Sequence, residues 1–285
     1  MISYCVPIFR PWFAKRLILD LIRKTSAPFE ILLWLNVNDA EFDAFLAEQI
    51  AAGHPVKVVG KTPENIGMSA FGALFEEARY EMITQIDDDV ICVSPRIAEI
   101  CSEIFAKHPI VKQVAANVWQ DELTCGARPA GDRYKIFDVE LGLYNGPIDG
   151  WFSVYHRSIL PLVLKLANQR KSLRVSWKPP FFQLRRYQPG KYFYLGSGVQ
   201  GRLERFGKVG LLCTRCKVFH VTEPDYLSYF NGLDFEIKKY RALGRNDVAD
   251  SYERRSARPA PESLADRVRQ IELSLSSVPS DDIQA

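Results

Sequence analysis

The sequence predicts an α/β fold with a mostly parallel central sheet. Strand-like and helix-like segments alternate through the first half of the chain, and polar residues follow several of the strands. The length of 285 residues, with 47% hydrophobic and 25% charged residues, suffices for one large α/β domain. Because the net charge is only +3, we expect no nucleic-acid partner.

Hydrophobic periodicity predicts the elements of the first half in order. Residues 2–9 form a continuous apolar run of strand length, and after Arg10-Pro11 the residues Phe13, Leu17 and Leu21 repeat at helical spacing. Cap-forming polar residues and glycines mark the later helix ends. The remaining predictions are strand 29–35, helix 40–52, strand 56–59, helix 68–80, strand 80–86 and a helix opened by Ser94-Pro95.

The second half has weaker patterns. Residues 121–146 form a long polar, glycine-containing stretch, which predicts a functional loop. Beyond Thr222 the composition changes and predicts a helical extension over 223–285. The other predictions are strands at 111–116, 151–156, 192–195 and 211–221, and helices at 157–167, 199–206, 235–243 and 262–275.

Three consecutive aspartates, Asp87, Asp88 and Asp89, directly follow the strand predicted at 80–86. Clustered carboxylates repel one another unless a cation or protons relieve the repulsion, and their oxygens suit Mg²⁺ or Mn²⁺. In an open α/β sheet, ligands bind beyond the carboxyl ends of the strands, where residues 7–10 and 36–39 are also expected. The triplet is therefore either a metal site for a phosphate-bearing substrate or a polar strand cap.

Two other motifs allow different interpretations. Gly196, Gly198 and Gly201 match the G-x-G-x-x-G pattern of dinucleotide-binding domains, which would suggest an NAD-dependent oxidoreductase. Too few strand and helix units follow it for such a domain. Cys213 and Cys216, with His220 four residues later, could form half of a zinc site, although no second cysteine pair follows.

The order of the strand ends resembles the nucleotide-sugar-binding half of GT-A glycosyltransferases, particularly the bacterial family two. This resemblance implies a GT-A-like, mostly parallel sheet flanked by helices, with a donor nucleotide-binding half at 1–120 and an acceptor half at 121–222 of one catalytic domain. The segments that carry it are Val6-Pro7-Ile8-Phe9, Asn36-Val37-Asn38-Asp39, residues 64–70, Gln85-Ile86-Asp87-Asp88-Asp89, residues 149–157 and Val218-Phe219-His220.

The resemblance also implies roles for individual residues. It implies a Mn²⁺ or Mg²⁺ cofactor, a nucleotide-sugar donor with UDP-sugar favoured, and a glycan or lipid-linked acceptor hydroxyl, as in polysaccharide biosynthesis. Asp89, Asp87 and His220 would bind the metal, with Asp87 also near the ribose. The implied contacts to the donor nucleotide are Pro7, Arg10, Asn38, Asp39, Asn65, Gly67, Asp87 and Asp88.

The family usually supplies a general base from an acidic pair before a helix that carries an arginine. The corresponding stretch, residues 195–202, has no carboxylate, so inverting and retaining transfer both stay open. Asp149, in a turn before an aromatic strand, is the substitute candidate, and Asp138 and Glu140 compete with it. A nucleotidyltransferase and a non-catalytic nucleotide- or glycan-binding protein are the alternative functions.

The sequence also indicates where the protein works. The chain begins directly with the strand at 2–9 rather than with a charged leader, so we expect it to be cytoplasmic. Residues 165–191 mix eight basic side chains with aromatic residues. This stretch is either a solvated surface or a peripheral contact with anionic headgroups, an acidic glycan or RNA, and a membrane-linked acceptor fits transferase chemistry best.

Overall fold

The computed structural model describes residues 1–63, 66–121, 123, 131–148, 150–167, 173–178, 181–186, 195–256 and 263–276. Ten strands in this part of the chain form one sheet, and two more pair as a separate antiparallel hairpin. The strands are β1 Ile2–Ile8, β2 Phe29–Leu35, β3 Val56–Lys61, β4 Met82–Ile86, β5 Val90–Val93, β6 Val111–Val118, β7 Lys135–Asp138, β8 Leu143–Asn145, β9 Phe152–His156, β10 Leu173–Lys178, β11 Phe181–Arg186 and β12 Val209–His220.

The sheet has the strand order β3-β2-β1-β4-β9-β6-β12-β8-β7, and β5 pairs with β12 off this path. The neighbours β3, β2, β1 and β4 are all parallel, and β6 is parallel to β12. Strand β9 is antiparallel to both β4 and β6, and β5 and β8 are antiparallel to β12. The carboxyl ends of β1, β4 and β12 therefore lie at the same edge of the sheet.

Helices cover both faces of the sheet, as the α/β prediction requires. Along β1 the alternation is direct: Tyr4 and Val6 belong to one core, and Cys5 between them belongs to the other. The helices are α1 Pro11–Lys24, α2 Ala40–Ala51, α3 Ala70–Glu77, α4 Ile97–Lys107, α5 Leu160–Ala167, α6 Ser197–Leu203, α7 Pro224–Tyr229, α8 Leu233–Ala242, α9 Asn246–Ser256 and α10 Leu264–Ser276.

The predicted fold class is confirmed, and most predicted elements lie within a few residues of the observed ones. The predicted helix start at Ser94-Pro95 is wrong. The Ser94 hydroxyl accepts a hydrogen bond from the Lys217 backbone N–H (2.9 Å), and α4 begins only after Arg96, whose φ is +62°. Ser94 thus extends the pairing of β5 with β12, because its hydroxyl serves the sheet instead of a helix.

The stretches with weak sequence patterns contain regular structure that the sequence did not predict. The long polar segment 121–146 includes β7 and β8, and the basic stretch 165–191 includes the hairpin of β10 and β11. Most of the strand predicted at 192–195 lies outside the described residues. Short strands whose side chains are partly exposed, as in β7, give little periodic signal.

The helices after Thr222 pack against the sheet rather than standing apart from it. Helix α7 buries Tyr226 and Leu227 against Phe219 of β12, and α10 buries Ile271 and Leu275 in the same cluster. This third core also includes Phe13, Ile91 and Cys92. The C-terminal helices therefore form a continuous unit with α1, β5 and β12. None of the described helices is long and apolar enough to cross a membrane.

The third core predicts the effect of two substitutions in α10. Ile271 is 1% exposed and Leu273 is 62% exposed. We expect Ile271→Ala to lower the free energy of unfolding by about 2–5 kcal/mol, because it leaves a cavity between α10 and the sheet. Leu273→Ala, the matched control, should change it by less than about 0.5 kcal/mol. Urea denaturation measures both, and equal effects would show that α10 is not packed as described.

Candidate active site

The aspartate triplet lies where β4 ends, beside the ends of β1 and β12. The Asp87 N–H donates to the Trp151 carbonyl (2.9 Å), and the Val90 N–H donates to the Asp87 carbonyl (3.1 Å), which closes a turn into β5. The Val221 N–H donates to the Asp89 carbonyl (2.9 Å). The backbone thus holds the three carboxylates in fixed directions, so that each has different neighbours.

Asp88 is tied to the end of β1. One carboxylate oxygen accepts hydrogen bonds from the Phe9 and Arg10 backbone N–H groups, both at 2.5 Å. The other lies 2.5 Å from Arg10 Nη1. Both carboxylate oxygens of Asp88 thus have partners inside the protein, and the carboxylate joins two neighbouring strand ends. The nucleotide contact that the resemblance implied for Asp88 stays a prediction.

Arg10 connects the triplet to the C-terminal helices. Its Nη1 lies 3.2 Å from Asp89 Oδ2, and its Nε lies 2.6 Å from Oε1 of Glu236 in α8. The second oxygen of Glu236 pairs with Lys239 one turn further along the helix. The Arg10 side chain is only 12% exposed. The contact with a base that the resemblance implied for Arg10 stays a prediction.

Asp87, Asp89 and His220 form the cluster that could bind a metal. One ligand atom from each lies within 4.8 Å of the others. His220 Nε2 is 3.0 Å from Asp89 Oδ1, and the His220 ring stacks on Trp151 with centroids 4.6 Å apart. Within the described part of the chain, the buried His220 Nδ1 has no hydrogen-bond partner. Two carboxylates and an imidazole with an unused ring nitrogen fit a divalent cation such as Mn²⁺.

The two aspartates of this cluster have different electrostatics. Burial, and then the charge of Asp89, raise the pKa of Asp87 to about 7. Burial also acts to raise the pKa of Asp89, but the charges of Arg10 and His220 outweigh it and hold that pKa well below its usual range. The pKa of His220 is raised, since Asp89 outweighs the opposing effect of burial. Asp87 is therefore the carboxylate of the cluster whose ionised form the protein stabilises least.

Four of the other predicted nucleotide contacts lie along the same edge of the sheet. Pro7 is near the end of β1, Asn38 is exposed after β2, and Gly67 has φ +57° at the start of a 3₁₀ turn over Gly67–Ser69. The Asp39 carboxylate caps α2 by accepting from the Phe42 N–H (2.9 Å). Asn65 and Asp149 lie outside the described residues. Pro7, Asn38, Asp39 and Gly67 keep their assignments as predictions.

Asn36, which the sequence did not single out, organises the loop that follows β3. Its buried side-chain oxygen accepts from the Ile66 N–H at 3.0 Å.

Neither competing base candidate is free: Asp138 pairs with His108 (2.7 Å) and Lys107 (2.9 Å), and Glu140 pairs with Lys107 (3.1 Å). Both carboxylates therefore have structural partners.

The structure disfavours the dinucleotide-binding interpretation of residues 196–201. That fingerprint needs its third glycine for close packing, yet a side chain at Gly201 would meet open space. Gly196 has φ +69° before α6, where the Tyr155 hydroxyl accepts from its N–H and Gln113 Nε2 donates to its carbonyl. Gly196 thus serves the buried start of α6.

The structure also gives no zinc site. Cys213 and Cys216 are buried near Cys101, whereas His220 pairs with Asp89. Among the described residues, the cysteines belong to no group of three that could hold a metal.

Glu236, Lys239 and Trp151 are the residues that sequence reasoning missed. Glu236 lies 226 positions from Arg10, and a Glu and Lys three residues apart on a helix are common on solvated surfaces. Their burial against Arg10 has no signal in the sequence. For Trp151 the sequence did contain a signal, the preceding Gly150. A side chain at position 150 would come within 2.5 Å of Gln85 Nε2, so the glycine allows Trp151 to lie close to β4.

No protein-family model and no curated protein sequence matches the chain. Solved structures do match it. Mannosyltransferase PcManGT from Pyrobaculum calidifontis, in complex with GDP-Man and Mn²⁺, has a TM-score of 0.55 at 13% identity, over 95% of this chain and 68% of that one. GalNAc-T7 with UDP, GalNAc and Mn²⁺ has a TM-score of 0.56 at 12% identity, over 98% of this chain and 55% of that one.

A third structure, S. aureus TarS 1-349 in complex with UDP, has a TM-score of 0.52 at 12% identity, over 80% of this chain and 62% of that one. The chain thus spans between about half and two thirds of the length of these three proteins. At such low identity, the likeness is one of fold.

The different surroundings of Asp87 and Asp88 predict opposite effects of neutralising them in metal-free protein. Asp88→Asn breaks a buried ion pair with Arg10 and should lower the free energy of unfolding by about 3 kcal/mol. Asp87→Asn should raise it at pH 8, by up to about 4 kcal/mol. The raised pKa of Asp87 means that folding disfavours its ionised form, which lowers the free energy of unfolding. This destabilisation is fully present above pH 7 and is lost as the pH falls toward 4.

Urea denaturation at pH 8 with EDTA measures both changes. The control is Asp234→Asn, which removes an exposed carboxylate from α8 and should have little effect. Destabilisation of similar size by Asp87→Asn and Asp88→Asn would contradict the distinct roles.

A third substitution tests the interpretation of the glycine motif. Gly201→Ala replaces a glycine in α6 that has open space around it, so it should raise the free energy of unfolding by about 0.5–1 kcal/mol. Thermal or urea denaturation checks this, with Gly150→Ala as the contrasting variant that should destabilise. A loss of stability in Gly201→Ala would show that the glycine is needed for close packing.

Proposed function

Because the chain has the GT-A fold, we propose that it is a metal-dependent glycosyltransferase that moves a sugar from a nucleotide-diphosphate sugar to an acceptor hydroxyl. The observation that carries this proposal is the convergence of Asp87, Asp89 and His220 at the carboxyl ends of β4 and β12. Ligands of open α/β sheets bind at this edge.

The charge balance of the site supports a divalent cation. Four carboxylates, those of Asp87, Asp88, Asp89 and Glu236, lie in one network with two cationic side chains, Arg10 and Lys239. In the protonation state that binds a metal, His220 is neutral and all four carboxylates are ionised, so four negative and two positive charges leave a net charge of two negative units. One divalent cation has the charge that balances this excess, and clustered carboxylates without such relief are unfavourable.

Each residue of the site supplies a defined part of the proposed chemistry. A bound divalent cation would hold the diphosphate and neutralise the charge that grows on the leaving group. Asp89 and His220 provide buried ligand atoms, and Asp87 is more exposed, at the side where the donor ribose would lie. Trp151 covers one face of the His220 ring and keeps water from it.

We retain Asp149 as the proposed general base. It directly precedes Gly150 and Trp151 in the sequence, and the Trp151 carbonyl accepts a hydrogen bond from the Asp87 N–H. Trp151, two positions after Asp149 in the sequence, therefore lies beside the carboxylate cluster. Deprotonation of the acceptor hydroxyl by Asp149 would give an inverting transfer.

The donor and the metal can be narrowed by chemistry. The sequence resemblance favours a UDP-sugar, and the structures of GalNAc-T7 and TarS contain UDP, whereas that of PcManGT contains GDP-Man. An imidazole among the ligands favours Mn²⁺ over Mg²⁺, which prefers oxygen. We propose a glycan or lipid-linked hydroxyl as the acceptor. A nucleotidyltransferase also uses acidic metal ligands on an α/β sheet, and a binding protein would use the same site without transfer.

Nucleotide titration tests the proposal on the full chain. We expect UDP to bind with Mn²⁺ and to lose at least about tenfold in affinity with EDTA or in Asp89→Ala, because the metal joins the diphosphate to the protein. Calorimetry with UDP, GDP, dTDP and NAD, with and without Mn²⁺, measures this. The exposed variant Asp234→Asn is the control and should bind as the wild type does.

The outcome of this titration decides between functions. Binding of no nucleoside diphosphate in a manner that needs both metal and Asp89 would overturn the proposal. Slow hydrolysis of a bound UDP-sugar without acceptor would identify an enzyme, while tight binding without any turnover would favour a binding protein. Release of pyrophosphate from a nucleoside triphosphate and a sugar phosphate would favour a nucleotidyltransferase.

A further inference from the structure

We infer that Glu236, in the C-terminal helix α8, is a positioning residue for the metal site and acts through Arg10. The inference rests on the proposed function, since it assigns a role in metal binding to the same site. It extends that site to a helix more than 200 residues away in sequence from Arg10. Glu236 would set how strongly Arg10 competes with the cation for Asp89.

The Arg10 guanidinium contacts three carboxylates on two sides. Nη1 lies 2.5 Å from Asp88 Oδ1 and 3.2 Å from Asp89 Oδ2, on the side of the triplet. Nε lies 2.6 Å from Glu236 Oε1, on the side of α8. The fork of the guanidinium is rigid and planar, so a bond at Nε fixes the direction in which Nη1 points.

Burial makes this arrangement energetically significant. Glu236 is 4% exposed, and its two oxygens are both used, one by Arg10 and the other by Lys239. A carboxylate this buried is expensive unless its partners satisfy it. Apolar side chains would be enough to pack α8 against the end of β1. Phe9 and Phe235 already make such a contact beside this ion pair, with ring centroids 5.0 Å apart.

The charge of Glu236 changes what Arg10 does to Asp89. Asp89 is the proposed metal ligand, and Arg10 Nη1 already lies within ion-pair distance of one of its oxygens. With Glu236 ionised, part of the Arg10 charge is neutralised on the side away from the metal. Without that charge, Arg10 pairs more strongly with Asp88 and Asp89 and competes with the cation. Metal affinity should then fall, although no metal ligand has changed.

The test measures Mn²⁺ affinity directly, by electron paramagnetic resonance of free Mn²⁺ with the full chain. Glu236→Gln keeps the volume and an acceptor for Arg10 Nε but removes the charge. We expect it to weaken Mn²⁺ binding about tenfold, the size typical of changes behind the metal ligands. Asp234→Asn removes the same charge from an exposed position of the same helix and should change the affinity by less than about twofold.

A double-mutant cycle separates action through Arg10 from simple loss of negative charge. In the Arg10→Gln background, Glu236→Gln should change Mn²⁺ affinity by less than about twofold. The same tenfold loss in both backgrounds would overturn the inference, as would a Glu236→Gln variant that is less stable but binds Mn²⁺ as the wild type does. Lys239→Gln gives an independent check. It leaves Arg10 as the cationic partner of Glu236, so more of the Arg10 charge is neutralised and Mn²⁺ binding should become tighter. Weaker binding in Lys239→Gln would also contradict the role.

The wild-type measurement distinguishes failure of this inference from failure of the proposed function. If the wild type shows no Mn²⁺-dependent binding of a nucleoside diphosphate, the proposed function and the inference both fall. If the wild type binds Mn²⁺ and the nucleoside diphosphate, and Glu236→Gln binds Mn²⁺ as tightly as Asp234→Asn does, only the role of Glu236 is excluded.

Discussion

The repulsion among three consecutive carboxylates at the end of β4 is the constraint on which the site depends. The protein meets it by giving the aspartates different surroundings: Asp88 is held by the end of β1, Asp89 by His220 and Arg10, and Asp87 is the least buried of the three. The position of Arg10 follows from this division, because one guanidinium serves both Asp88 and Asp89. The ionised form of Asp87 is left the least stabilised, at the edge where ligands of open α/β sheets bind.

Arg10 in turn makes the C-terminal helices part of the site. Its bond to Glu236 fixes α8 over the end of β1, and the core around Phe219 and Ile271 holds the other helices against the sheet. The C-terminal helices are therefore packed beside the proposed metal ligands. The proposed chemistry and the stability of the C-terminal part share the same buried charges, so substitutions at Arg10 or Glu236 affect both.

The predictions from sequence were best where one physical signal dominated. Strands buried on both faces read as apolar runs, so β1, β2 and β4 were found nearly to the residue. The triplet stood out because acidic residues at a strand end are an electrostatic anomaly, and the family resemblance added His220. The predictions were poorer where competing partners decide the outcome: Ser94 serves the sheet rather than a helix, and the bond between Arg10 and Glu236 had no signal in the sequence.

The sequence by itself determined the α/β fold, the strand end at which acidic residues cluster, and the residue types that could hold a metal, because periodicity and charge clustering are local. Only the tertiary structure decided which aspartate is structural, that His220 meets Asp89 across 131 positions, and that Glu236 reaches Arg10. These outcomes depend on which buried donors and acceptors meet when distant segments pack. A buried charge without a partner is strongly destabilising, so the packing of distant segments decides the pairs.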